Sequence, residues 1–138
     1  MRRIVRFVLA MSMLTATACS GNDSSNGAGT ASESSSLAGS WTGTWRSDSG
    51  VGGAVVFDLA QNGNTLSGTA KMTGSVCLES AKIDGIVDGD DVEIDVTAGD
   101  SKASVHLTQT TSNDLAGTYA ALAVGICSGD TGSVNASR

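Results

Sequence analysis

From residue 37 onward, apolar and polar residues alternate almost one by one. Leu66, Gly68, Ala70 and Met72 interleave with Thr65, Ser67, Thr69, Lys71 and Thr73. Val92, Ile94 and Val96 interleave with Glu93, Asp95 and Thr97; Ala103, Val105 and Leu107 interleave with Lys102, Ser104, His106 and Thr108. Successive side chains of a strand point to opposite faces, so a period of two marks strands with one buried face and one wet face. Between the runs stand Asn62-Gly63-Asn64, Asp88-Gly89-Asp90, Gly99-Asp100 and Ser112-Asn113-Asp114, all residues that turn a chain readily. The pattern predicts eight strands, at about 40–47, 53–61, 65–73, 81–88, 91–98, 102–110, 115–122 and 131–137.

Short connections favour antiparallel neighbours in chain order, a meander. Eight such strands can close into an up-and-down barrel with no free edge; a two-sheet sandwich of immunoglobulin type is the alternative arrangement. In the barrel, the connections after strands two, four and six are short and share one end, the bottom. Three of the four at the top are longer, at Ser47–Gly52, Gly74–Ser80 and Ala123–Asp130. Long loops at one end suit an open-mouthed cup. Parity turns Trp41, Trp45, Phe57, Leu59, Leu66, Met72, Ile83, Val87, Ile94, Val105, Leu107 and Tyr119 inward, with the small residues Gly43, Gly68, Ala70, Gly85, Ala103, Gly117 and Ala121 among them. Those small residues fit two interiors: a hollow one that holds a ligand, or a narrow, strongly coiled barrel packed solid.

The first 36 residues follow another pattern. Arg2, Arg3 and Arg6 precede the apolar run Phe7-Val8-Leu9-Ala10-Met11, which continues through Met13 and Leu14 and ends in Ala16-Thr17-Ala18-Cys19. The run is shorter than the roughly 20 residues that span a bilayer. Charged start, short apolar middle and small residues at a cut site predict a cleaved signal peptide over 1–18. The stretch Leu14–Cys19 resembles a bacterial lipobox, which implies a diacylated Cys19 as the mature N-terminus; cleavage at Ala16-Thr17-Ala18 followed by plain secretion is the alternative. Residues 19–36 are mostly Ser, Gly, Asn, Thr and Ala, a composition that buries too little to order itself, and read as a flexible tether. Residues 37–138 form one domain.

Charge and cysteines narrow the picture. The chain carries −6, but three of its eight basic residues leave with the signal, so five face fourteen acidic ones and the mature charge is about −9. That disfavours nucleic acid and anionic lipid surfaces, which attract basic patches. The cysteines are Cys19, Cys77 and Cys127. A thioether on Cys19 leaves Cys77 and Cys127 to pair, which an oxidising compartment permits. Leu66-Ser67-Gly68-Thr69 precedes Cys77 at nearly the interval by which Leu115-Ala116-Gly117-Thr118 precedes Cys127. This weak internal repeat puts both cysteines in long top loops. The alternative is two free thiols.

Gly39-Ser40-Trp41 and Gly43-Thr44-Trp45 resemble the G-x-W opening of lipocalins and their avidin-like relatives in the calycin group. The resemblance implies a small bacterial lipoprotein with a calycin-type barrel, in which an inward tryptophan at the base packs on an arginine near the end of the last strand. Trp41 and Arg138 match those places, and Arg138 has the parity of Val134 and Ala136.

Catalytic chemistry has little footing. The single histidine, His106, has outward parity. Gly129-Asp130-Thr131-Gly132 resembles a serine-protease nucleophile loop but carries threonine for serine. Asp84, Asp88, Asp90, Asp91, Glu93 and Asp95 crowd one hairpin without the spacing of a complete cation loop. The expectation is therefore no enzyme, no metal and no cofactor. It is a monomeric, membrane-anchored lipoprotein of the cell envelope, in the outer membrane if the host has one, whose barrel takes a small apolar or amphipathic ligand through Trp45, Phe57, Met72, Tyr119 and Trp41. The alternative is a packed structural or interaction lipoprotein with no small-molecule ligand.

Overall fold

The computed structural model of the protein describes residues 35–138. The signal peptide, Cys19 and the tether through residue 34 lie outside the described residues. Eight strands follow in order: β1 (Gly39–Ser47), β2 (Gly52–Asn62), β3 (Thr65–Met72), β4 (Ser80–Asp88), β5 (Asp91–Ala98), β6 (Ser101–Thr111), β7 (Asp114–Ala121) and β8 (Asp130–Ser137). Each pairs antiparallel with its neighbour, and β8 pairs with β1 to close the barrel. That closing ladder, Thr42 opposite Ser137 through Ser47 opposite Gly132, rules out a two-sheet sandwich. The alternation read from the sequence is the burial pattern observed: inward positions form one continuous core, and their neighbours face water.

The connections sort by end. At the bottom β2–β3, β4–β5 and β6–β7 are each joined by two residues. Gly63 and Gly89 take left-handed φ values of 60° and 63° there, which tight hairpins need and side chains disfavour. At the top, residues 73–79 and 122–129 form the long loops. A disulfide joins Cys77 to Cys127 between them, with 6.0 Å between Cα atoms.

The inward glycines bend the wall. A Cβ on Gly43 would lie 1.8 Å from the Asn135 carbonyl oxygen, and one on Gly117 would lie 1.9 Å from that of His106. Backbones of adjacent strands approach that closely because the strands coil sharply around a small barrel. The coiled-barrel reading therefore accounts for these residues. Gly43, Gly68, Gly85 and Gly117 do not line the interior cavity.

The bottom is plugged. Residues 35–38 run beneath the barrel, and Leu37 and Trp41 are fully buried. Trp41 donates its indole N–H to the Leu37 carbonyl at 2.8 Å, and Leu37 N donates to Gln61 Oε1 at 2.6 Å. Gln109 donates to Ser35 Oγ at 2.5 Å. Ser35 and Ser36, assigned to the tether by composition, thus lie against the barrel base. Gln61 and Gln109 hold inward register at the bottoms of β2 and β6, where an apolar residue would leave the Leu37 N–H and the Ser35 hydroxyl without these partners. A register shift between Gln109 and Thr111 bends β6 at the same point.

Candidate functional site

Arg138 closes the base. Its guanidinium carbon sits 4.5 Å from the centroid of the Trp41 ring. Nη1 donates to the carbonyls of Ser36 (2.9 Å) and Ala38 (3.2 Å), and Nη2 to that of Ser112 (2.9 Å). The planar fork covers the indole face while its N–H groups satisfy carbonyls of the entering segment and of the β6–β7 turn, a pairing that suits guanidinium better than ammonium. This is a structural lock, and it seals the lower end.

The upper end is open. A cavity of about 530 Å³ occupies the mouth, within the range of small-molecule sites. Its wall is mainly apolar: Trp45, Val55, Phe57, Met72, Val105 and Val134 from the strands, with the disulfide and Leu78 above. Below it the barrel is packed; Trp41, Leu66, Val92 and Leu115 are buried and none of them reaches the cavity. The packed and hollow interiors weighed from sequence thus divide the barrel between them, lower half and upper half. Of the candidate ligand residues, the structure brings Trp45, Phe57, Met72 and Tyr119 together around the cavity and sets Trp41 apart in the plug. Trp45 and Tyr119 meet edge to face, with centroids 6.1 Å apart, and Trp45 donates to the Thr73 carbonyl at 2.9 Å. The Trp45 and Tyr119 rings are thereby held in place before any ligand arrives.

A polar cluster stands on one side of the mouth. Asp130 accepts from Ser47 Oγ at 2.5 Å on one carboxylate oxygen and from the Tyr119 hydroxyl at 2.6 Å on the other. Ser47 and Ser49 hydroxyls are 2.7 Å apart, and Thr131 donates to Asp48 at 2.7 Å. The hydroxyls of Ser47 and Tyr119 hold the Asp130 carboxyl below the usual carboxylate range, against a smaller opposing effect of burial. Burial first, then the neighbouring Asp130 carboxylate, pushes the Tyr119 phenol well above its ordinary value. Asp130 is therefore an anion and Tyr119 a neutral donor at neutral pH.

Sequence reading placed neither Ser47 nor Asp130 at a site. It singled out Gly129–Gly132 only for a likeness to a nucleophile loop. The available signal was parity: Ser47 shares the inward register of Trp45, and Asp130 that of Gly132 and Val134. A polar residue in an inward slot at a strand end marks a rim or a plug, as Gln61 and Gln109 do at the other end. On the outer face, Lys102 pairs with Asp95 at 2.9 Å and lowers its carboxyl pKa. His106 lies 3.7 Å from Glu93, exposed. Among the described residues no three His, Cys, Asp or Glu side chains converge as a metal site would require.

The fold and the mouth define a closed eight-stranded antiparallel barrel, sealed at one end and hollow at the other. No protein-family model matches the sequence, and no curated protein matches it. Among solved structures the chain is similar to EF1p2_mFAP2b bound to DFHBI, with a TM-score of 0.56 and 13% identity. The match covers 74% of this chain and 93% of that one. At that identity the likeness is one of fold.

Proposed function

We propose that the barrel is a binding module for a small apolar or amphipathic molecule, received through the loop-bearing mouth. The cavity of about 530 Å³ carries this reading, because its apolar wall continues into the buried core and would otherwise stand open to water. The lipocalin-like resemblance and the small ligand of the structural neighbour point the same way. The site is one of binding rather than catalysis: Ser47 and Asp130 lack a histidine between them, and His106 lies on the outer face. Native mass spectrometry of protein purified from its own host tests the reading. A retained small molecule, lost when Phe57 or Val105 is replaced by a bulkier residue, is the expected result; protein that carries nothing and takes up no apolar probe overturns it.

The module works on an exported, lipid-anchored chain. The Cys77–Cys127 disulfide is consistent with export, and the lipobox-like stretch before Cys19 supports the anchor. Metabolic labelling with a fatty-acid analogue should mark the wild type and spare Cys19→Ala. Labelling that survives the substitution moves the anchor elsewhere, and an unlabelled wild type leaves a secreted protein.

A second reading, an interaction protein of the envelope, draws on Val76 and Ile126. They are 90% and 97% exposed on the two long loops. Both also border the cavity, so the binding reading accounts for them as the rim of the same apolar surface.

A further inference from the structure

We infer that the mouth selects amphipathic cations: an apolar body enters the cup, and its ammonium or similar donor-bearing cation docks on Asp130. The inference rests on the binding reading above and adds the charge of the ligand.

The basic residue among those lining the cavity is Lys102, and its side chain turns to the outer face, where it is committed to Asp95 at 2.9 Å. Asp130 also borders the cavity, and among the described residues no Lys, Arg or His side chain pairs with it; the ion pairs found there are Lys102–Asp95 and His106–Glu93. Its partners are neutral donors, the hydroxyls of Ser47 and Tyr119 and, more weakly, the Thr131 backbone N–H. Hydroxyl donors position a carboxylate and stabilise its charge without cancelling it. A carboxylate has about four acceptor directions, so these three neutral donors leave room for a further, charged donor.

Geometry gives the rest. Three strand ends converge on one carboxylate: Ser47 ends β1, Tyr119 lies near the end of β7, and Asp130 begins β8. The Tyr119 ring reaches both Asp130 and the Trp45 ring, so the anion stands directly beside an aromatic wall. Carboxylate and aromatic ring together suit an ammonium group, which one attracts by charge and the other by its π face. An anionic amphiphile would meet Asp130, with Asp48 close by, and among the described residues lining the cavity no unpaired cation in return. The excess of acidic residues over the mature chain adds long-range attraction for cations.

Three probes with one apolar body test the inference: 1-naphthylmethylammonium, 1-naphthylmethanol and 1-naphthoate, titrated by calorimetry into the disulfide-bonded protein at pH 7 and low salt. The ammonium should bind about tenfold or more tightly than the alcohol, as a charge-assisted hydrogen bond allows, and the carboxylate most weakly. Raising the salt to about 0.5 M should shrink the preference in the wild type, a measurement that needs no variant. Asp130→Asn should bring the ammonium-to-alcohol ratio close to one. Three probes binding alike, or a preference that survives Asp130→Asn, overturns the cation selection and leaves the apolar cup standing. No binding of any probe overturns both.

Discussion

Asp130 and Tyr119 share one proton-bearing contact, and each sets the other's chemistry. The phenol donates to a carboxylate already steadied by Ser47, so ionising the phenol would place two anions side by side in a half-dry site. Tyr119 is the chain's one tyrosine, which makes tyrosinate absorbance a clean reporter. Its titration should run well above the ordinary value of about 10, and Asp130→Asn should move it back toward that value. Tyr119's raised pKa contributes stability in full below the unfolded tyrosine value, and that contribution is lost as pH rises through the folded one. Asp130's lowered pKa contributes stability above the unfolded carboxylate value, lost as pH falls through the folded one. A titration indistinguishable from free tyrosine would mean the contact does not hold in solution.

Arg138 works at the same scale from the other end. Arg138→Ala removes a ring contact and three hydrogen bonds to carbonyls. Exposed cation–π contacts are worth about 0.5–1 kcal/mol, so denaturant unfolding should show a loss of roughly 1–2 kcal/mol once the carbonyls are counted. Tryptophan emission should shift to the red as water reaches Trp41. Arg138→Lys should recover only part, since ammonium cannot reproduce the planar fork. Unchanged emission in Arg138→Ala would show that Leu37 alone shields the indole.

For the elements, glycine in the inward register is the informative case. Gly117 faces inward between Leu115 and Tyr119, in a strand that runs against β6. From sequence it could be space for a ligand or a bend; the 1.9 Å between a notional Cβ and the His106 carbonyl oxygen makes it a bend. Gly117→Ala should destabilise by about 1–3 kcal/mol or more, as overpacking against backbone does. Its effect on ligand affinity should be small, because the residue lies outside the cavity. A neutral Gly117→Ala would mean that the strands part without cost. Strand limits were legible because period two and turn residues are local signals. The plug was not: Ser35 and Ser36 have tether composition, and the residues that hold them and Leu37 in place, Gln109, Arg138 and Gln61, are distant in sequence.

At the scale of the molecule, the disulfide joins the two longest loops across the mouth. It closes fifty residues of chain, which in the chain-entropy description is worth roughly 4 kcal/mol. The Cys77→Ala/Cys127→Ala variant should lose about 2–5 kcal/mol in urea unfolding. Its β-sheet circular dichroism should persist at low temperature, since none of the barrel ladders includes either cysteine. Loss of the strand signal in that variant would make the bridge a requirement of the fold. Because Cys77 and Cys127 also border the cavity, the same variant should exchange bound probes faster.

The amino-acid sequence alone determined the strand order, the inward and outward faces, the two ends of the barrel and which cysteines could meet. Each of these follows from side-chain alternation and turn chemistry, which act between near neighbours along the chain. Only the tertiary structure decided that the barrel closes, where packing stops and the cavity begins, and that Ser47, Tyr119 and Asp130 form one cluster. Those facts depend on how sharply the strands coil and on which strand ends the closing ladder of β1 and β8 brings within hydrogen-bond reach, and such distances between remote residues leave no local mark in a sequence.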